Sequence, residues 1–156
     1  MKIRILLLKF ILNLYPPLLF NRIILKEISD DYKEMRVILK KVFFNINLHK
    51  TIFGGSIFAA CDPYFPSMYY NIFYYKGKKL SIWTKSAKID YIKPADSSLE
   101  FLFKLSEEDI NKAELKINEN GKYQAYHTVI AKNKNGEICA KAEIIICLID
   151  KNKKNT

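Results

Sequence analysis

The chain has 156 residues, of which 49% are hydrophobic, and it carries a formal net charge of +10. This length and composition favour one domain with its own core and exclude a small scaffold that depends on disulfides or metal. The basic residues are scattered rather than gathered into a stripe, so the charge is compatible with nucleic acid but does not select it.

The cysteines point to a reducing compartment. Cys61, Cys139 and Cys147 lie in apolar runs, and neither their odd number nor their spacing fits a disulfide framework or a zinc site. We therefore expect reduced, buried thiols, a cytoplasmic location, and no metal.

Residues 1–20 look at first like a signal peptide, because two basic residues precede an apolar run. Lys9 and Asn13 interrupt the run, and no small-residue cleavage site follows. Their helical spacing predicts an amphipathic helix that ends before Pro16 and packs on the domain. Peripheral membrane contact is the alternative for this helix. We expect residues 1–30 to form a helical extension of a domain that spans residues 31–150.

The next segment predicts a strand and then a buried helix. The strand runs from Glu34 to Phe44, with alternating apolar residues on one face: Met35, Val37, Leu39 and Phe43. After a loop, the segment from Gly54 to about Tyr75 is apolar nearly all round, as a central helix would be. Two prolines, Pro63 and Pro66, predict a kink or break just after Asp62.

The remaining chain predicts mostly strands. Leu80 to Lys93 and Ser98 to Leu105 are rich in β-formers, and Ser106 opens a capped helix that ends at Gly121. Two further strands, Lys122 to Lys132 and Glu137 to Asp150, are joined by an Asn-Gly turn. Residues 151–156 predict a disordered tail. The expected architecture is α+β, with an antiparallel sheet that wraps one buried helix.

The most chemically informative residues lie around the start of this helix. Gly54 and Gly55 can bring backbone N–H groups close to a ligand where the helix opens. Asp62 is eight residues beyond Gly54, which is roughly 12 Å along one helix. The two residues therefore cannot act on one carbonyl within a single subunit. Asp62 before a proline is also a common turn residue, which is the structural alternative to a catalytic role.

At this point the sequence resembles the hot-dog-fold thioesterase superfamily, and within it the branch of phenylacetate-degradation and 4-hydroxybenzoyl-CoA thioesterases. Three stretches carry the resemblance: residues 47–63, 82–95 and 123–149. It implies a hot-dog fold, a homodimer that can pair further into a tetramer, and hydrolysis of a coenzyme A thioester without a metal or redox cofactor.

The resemblance also implies roles for particular residues. By position, the Gly54 N–H holds the thioester carbonyl, and Asp62 is the general base or nucleophile, with Asn47 and Thr84 assisting. Substrate-binding positions would be Gly55 and Lys85, the latter for coenzyme A phosphate, with Phe53 and Phe58 beside the acyl group.

Two differences from the family pattern keep an alternative open. Many active relatives have histidine where this chain has Phe53, and Pro63 directly follows the candidate carboxylate. The alternative function is a non-catalytic hot-dog protein that binds acyl-CoA or fatty acid. A third possibility, nucleic-acid binding, depends on charge alone and is not expected.

Overall fold

The computed structural model of the chain describes residues 2–152. Its helices are α1 (Lys2–Leu14), α2 (Pro16–Phe20), α3 (Gly54–Ala59), α4 (Tyr64–Tyr75) and α5 (Glu107–Asn120). Its strands are β1 (Ile23–Ile28), β2 (Glu34–Leu39), β3 (Leu80–Tyr91), β4 (Leu99–Lys104), β5 (Lys122–Lys132) and β6 (Ile138–Asp150).

These strands form one antiparallel sheet of six strands in the order β1-β2-β4-β5-β6-β3. The sheet curves around α4, whose buried face packs on its inner side and includes Phe65, Met68, Tyr69 and Phe73. On β4, buried and exposed residues alternate, with Leu99, Phe101 and Phe103 facing the helix, because successive strand side chains point to opposite faces. The predicted α+β hot-dog architecture is confirmed.

The central helix is divided into α3 and α4, as the prolines predict. The break covers residues 60–63, so Asp62 lies in a turn rather than on a continuous helix. Pro63 disfavours helical geometry at the residue before it and has no N–H to donate, which explains why α3 ends before Asp62. The break therefore begins a few residues earlier than the predicted position after Asp62.

The amino-terminal extension differs from the expected helical segment over 1–30. Helices α1 and α2 end at Phe20, and Ile23–Ile28 instead forms edge strand β1 on β2. The Asn13 side chain joins α1 to this strand. It donates to the Leu25 carbonyl at 3.2 Å and accepts from the Leu25 N–H at 2.7 Å.

The predicted strand over 34–44 is also too long. It ends at Leu39, and Phe43 belongs to a short 3-10 helix in which its side chain is 90% exposed. The prediction that Phe43 shares the buried face of the strand is wrong. In the sequence, Lys41 interrupts the apolar alternation after Leu39, and the pairing with β4 ends at Leu39.

Local signals for α5 and the last hairpin are confirmed. The Asp109 N–H donates to Ser106 Oγ at 3.1 Å, the Ser106 N–H donates to Asp109 Oδ2 at 2.9 Å, and Gly121 ends the helix at a φ of 71°. The predicted disordered tail falls mainly on residues 153–156, which lie outside the described residues. Within residues 2–152, no helix has the length and apolar character needed to cross a bilayer.

Candidate functional site

The amino-terminal end of α3 presents two backbone donors. Ser56 and Ile57 both donate their N–H groups to the Phe53 carbonyl, at 2.9 and 3.3 Å. Gly54 and Gly55 therefore carry the first two N–H groups of the helix, which have no acceptor within it. Such groups can donate to an oxygen atom of a bound molecule.

Tyr91, at the end of β3, lies directly on Gly54. Its hydroxyl donates a hydrogen bond to the Gly54 carbonyl at 2.9 Å. A Cβ built on Gly54 would lie 3.1 Å from the Tyr91 ring and hydroxyl, so only glycine leaves the ring its full space. Burial, and after it the nearby Cys61 thiol, raises the pKa of Tyr91, so the hydroxyl stays protonated and able to donate.

A groove of about 610 Å³ opens beside this contact. It contains two of the predicted site residues, Asn47 and Gly54, with polar groups from His49, Tyr91 and Lys93. Lys93 is paired with Glu137 in this structure. A second cavity of about 630 Å³ lies across β4 and β5 and contains none of the predicted site residues. The first groove is the better candidate because free helix N–H groups adjoin it.

Asn47 is bound into its own loop. Its Oδ1 accepts from the N–H groups of His49 and Thr51 at 3.0 and 3.2 Å, and its Nδ2 donates to Thr51 Oγ1 at 2.9 Å. The amide has one further N–H, since Nδ2 carries two donors. Asn47 therefore shapes the loop that lines the groove and retains one donor for a ligand.

Asp62 lies in the turn between α3 and α4 with its side chain exposed to solvent. Thr84 Oγ1 donates to the Asp62 backbone carbonyl at 3.1 Å, which ties this turn to the middle of β3. The preceding residue, Cys61, is buried, and its thiol donates to the Ile57 carbonyl at 3.3 Å. Burial, and then the negative charge of Asp62, raises the pKa of Cys61 to about 12, so this thiol is not a nucleophile at neutral pH.

The Asp62 turn adjoins the open edge of the sheet. Strand β3 pairs with β6 on one side, and no strand within residues 2–152 pairs with its other side. The register of that pairing shifts between Thr84 and Ser86, which places Lys85 at a bulge on this edge. Asp62, Thr84 and Lys85 thus form one group of predicted site residues at the edge of the sheet.

Gly54 and Asn47 belong to a separate group. Tyr91, which contacts Gly54, is seven residues along β3 from Thr84, which contacts Asp62, and this separation is roughly 23 Å along a strand. Within one subunit, Gly54 and Asp62 therefore contact β3 at two separate positions.

The two phenylalanines lie on the outer side of α3. Phe53 is its N-cap, and the Phe53 ring lies over Gly55, because a Cβ on Gly55 would come within 2.3 Å of that ring. Phe58 is partly exposed on the same helix. Both rings remain candidates for contact with an acyl group.

Sequence reasoning missed two polar contacts. The Tyr91 contact with Gly54 joins residues 37 positions apart, although Tyr91 lies in the stretch 82–95 that carried the family resemblance. His127 shares a hydrogen bond of 2.9 Å with the Tyr69 hydroxyl and stacks on Phe65. No local pattern marks either contact, since each depends on how distant elements pack. Among residues 2–152, no group of three His, Cys, Asp or Glu side chains could hold a metal ion.

The sheet, the divided central helix and the groove at the start of α3 define a hot-dog-fold protein. The chain belongs to a family described as a domain of unknown function, DUF4442, whose model matches residues 4–148. None of the curated proteins matches the chain.

Solved structures share this fold at low sequence identity. A Pseudomonas aeruginosa protein of unknown function, described as a probable thioesterase, superposes with a TM-score of 0.77 at 13% identity, over 92% of this chain and 94% of that one. A Shewanella oneidensis protein proposed to be a thioesterase has a TM-score of 0.71 at 21% identity, over 96% and 99%. A hypothetical thioesterase from Streptococcus pneumoniae, in a variant with an aspartate replaced by alanine, has a TM-score of 0.59 at 16% identity, over 85% and 94%.

Proposed function

We propose that this protein hydrolyses acyl thioesters, and that its active site is assembled from two copies of the chain. The observation that carries the proposal is the position of Asp62, which is an exposed carboxylate in a turn held against the open edge of the sheet by Thr84. The names of the structurally similar proteins support the same reaction class.

In the proposed reaction Asp62 acts as a general base. Its carboxylate removes a proton from water, and the water oxygen attacks the thioester carbonyl carbon. The N–H of Gly54 donates to the carbonyl oxygen as negative charge develops on it, and the remaining Nδ2 donor of Asn47 orients the carbonyl or the water. The tetrahedral intermediate then expels the thiolate, which takes the proton from Asp62. This sequence needs no redox cofactor.

A homodimer would bring these groups together. If β3 pairs with its own copy in antiparallel fashion, the Thr84 end of one strand approaches the Tyr91 end of the other when the two-fold axis lies close to Lys88. Lys88 lies near the midpoint of residues 84 and 91, so a two-fold axis there places residue 84 of each copy near residue 91 of the other. Asp62 of each copy would then act beside Gly54 of the partner. An unpaired strand of 12 residues at a sheet edge also favours such pairing.

Coenzyme A thioesters are the substrate class that we propose. Lys85 lies at the bulge beside Thr84 with its side chain exposed, where an ammonium group can meet a phosphate. Phe53, Phe58 and the backbone of Gly55 lie at the start of α3, where the acyl part would bind. The buried, protonated thiols of Cys61, Cys139 and Cys147 suit a reducing cytoplasm, and we place the reaction there.

The direct test is Asp62→Asn, assayed for thiol release from short, medium, long and aromatic acyl-CoAs. We expect kcat to fall by about 10²–10⁴-fold with little change in KM, because the variant keeps the shape of the side chain and loses the base. Asp30→Asn is the matched control, since Asp30 is an exposed carboxylate in the loop between β1 and β2, at the opposite edge of the sheet. Unchanged turnover in Asp62→Asn, or no hydrolysis by the native protein, would exclude the proposal.

The dimer has its own test. A disulfide between two copies of Lys88→Cys should form under mild oxidation, because Lys88 is exposed and the two side chains would lie close to the two-fold axis. Lys79→Cys is the control, since two copies of residue 79 would be more than about 40 Å apart along the paired strands. A cross-link at residue 79 and none at residue 88 would contradict this arrangement.

A second candidate function is binding of acyl-CoA or fatty acid without hydrolysis. The observation that favours it is the pair of rings at the start of α3, where Phe53 lies over Gly55 and Tyr91 lies against Gly54. Thermal stabilisation by acyl-CoA without any thiol release, equal in native protein and Asp62→Asn, would support this function over hydrolysis.

A further inference from the structure

Helix α1 is apolar on two opposite faces. One face packs on the domain through Ile5, Leu8 and Leu12. The other face is exposed to solvent and consists entirely of large hydrophobic side chains: Ile3, Leu6, Leu7, Phe10, Ile11 and Leu14. On a helical wheel these six side chains cover an arc of about 140°. This arc is as wide as the apolar stripe, at least about 100°, with which a surface helix packs on a protein core. Tyr15, Leu19 and Phe20, in or beside α2, are exposed as well.

The orientation of α1 on the domain is fixed by polar contacts on either side of this exposed face. Asn13 makes its two hydrogen bonds with the backbone of Leu25, at 3.2 and 2.7 Å. On the other side, the Arg4 guanidinium lies 4.3 Å from the centre of the Tyr74 ring, as in a cation–π contact. Rotating the helix to bury the exposed face would break both contacts. The exposed face is therefore a stable feature of the folded chain.

The segment that carries this face has charges of one sign. Residues 1–26 contain five basic residues and no acidic one: Lys2, Arg4, Lys9, Arg22 and Lys26. The first carboxylate of the chain is Glu27. An apolar helix face in a segment whose charged residues are all basic complements a surface that is apolar inside and anionic outside.

We propose that the exposed face of α1 binds in the plane of an anionic lipid bilayer, with the basic residues at the level of the lipid headgroups. None of its six side chains has a hydrogen-bonding group, whereas protein interfaces carry about one hydrogen bond per 100–200 Å². A lipid surface requires no such bonds. A second copy of the chain is the poorer occupant, because a two-fold contact through this face would set the same basic residues against each other.

The proposal does not depend on thioester hydrolysis. If both hold, however, a protein that acts on long acyl chains would work at the surface where such chains are concentrated.

Vesicle flotation of the full chain tests the proposal. The probes are phosphatidylcholine vesicles with and without about 30% phosphatidylglycerol, at low and at high salt. We expect the native protein to float with the anionic vesicles, and to bind several-fold more weakly without the anionic lipid or at high salt. The double variant Leu7→Glu with Phe10→Glu should bind at least about tenfold more weakly, since it places two charges on the inserted face. Lys9→Gln should bind anionic vesicles about fivefold more weakly.

Leu115→Glu is the matched control. Leu115 is 54% exposed on α5, and Leu7 is 55% exposed on α1, so both substitutions place a carboxylate at a half-exposed leucine. Leu115→Glu should float like the native protein. As a second readout, Phe10→Trp keeps the face apolar, and its emission should shift to shorter wavelength on addition of anionic vesicles.

Three outcomes would overturn the proposal. The first is that the native protein floats with neither vesicle. The second is that the double variant floats as well as the native protein. The third is that the native protein does not bind vesicles and the double variant sediments with a lower mass than the native protein. That result would assign the face to self-association.

Discussion

The hydroxyl of Tyr91 donates to the carbonyl of Gly54 at 2.9 Å, and the Tyr91 ring occupies the space in which a side chain at residue 54 would lie. This contact joins the end of strand β3 to the first residue of helix α3. It holds the groove side of the helix start in place while leaving the Gly54 N–H free to donate. The site geometry therefore depends on a strand and a helix whose contacting residues are 37 positions apart in the chain.

The first prediction concerns this contact. Gly54→Ala should lower the free energy of unfolding by about 0.5–1 kcal/mol more in the native background than in a Tyr91→Ala background. The reason is that the new methyl group displaces the Tyr91 ring and its hydrogen bond. Urea unfolding of the two single variants and the double variant measures this coupling. Additivity within about 0.3 kcal/mol would show that the ring moves aside freely.

The second prediction separates the structural and chemical roles of Asn47. Asn47→Ala should lower the free energy of unfolding by about 1–2 kcal/mol, because it leaves the N–H groups of His49 and Thr51 without their acceptor. Asn47→Asp keeps that acceptor, and the Thr51 hydroxyl can donate to it, so stability should stay within about 0.5 kcal/mol of the native value.

If the Asn47 amide also orients substrate or water, Asn47→Asp should still lose kcat, since a carboxylate cannot donate. Native stability together with native kcat in this variant would show that Asn47 only holds its loop together and has no role in the reaction. Steady-state assays on the same acyl-CoA panel provide the comparison.

The third prediction concerns Cys61 as an alternative nucleophile. Because its pKa is raised to about 12, the folded protein should react slowly with a thiol reagent at pH 7.5, and Cys61→Ala should retain hydrolysis. Cys139 and Cys147 are also buried with raised pKa values, so no thiol should react quickly before unfolding. A fast-reacting thiol whose modification abolishes turnover would assign the chemistry to cysteine instead of Asp62.

The fourth prediction is a pH dependence of stability. Burial lowers the pKa of His127 below its ordinary value of 6.5, partly offset by the negative charge of Asp109. The unfolded chain then binds the proton more readily than the folded one. The folded state therefore keeps its full stability relative to the unfolded state above pH 6.5 and loses part of it as the pH falls below that value. The free energy of unfolding should therefore decrease between pH 7 and about pH 5.5.

His127→Gln removes the titrating group and can keep a hydrogen bond to the Tyr69 hydroxyl. Denaturant unfolding at several pH values should show a shallower decrease in this variant below pH 6.5. An unchanged slope would mean that other groups are responsible.

Much of the fold was predictable because its signals are local. The Ser106 cap, the Asn-Gly turn before β6 and the helix break near Pro63 each depend on residues within a few positions of one another. Strand β1 was not predictable in this way. Its residues continue the apolar run of the helical extension, and they form a strand because β2 offers an unpaired edge.

In the candidate site, too, one part follows from local spacing in the sequence and another depends on tertiary packing. From the sequence alone, the spacing of Gly54 and Asp62 predicted, for one continuous helix, a separation too large for both to act on one carbonyl within one subunit, and the structure divides that helix before Asp62. Only the tertiary structure decided which surfaces the two residues occupy. Thr84 holds the Asp62 turn at the open edge of the sheet and Tyr91 holds Gly54 at the groove, contacts that arise from the packing of β3 against the central helix. Strand packing joins residues that are distant in the chain, so no local pattern in the sequence encodes these contacts.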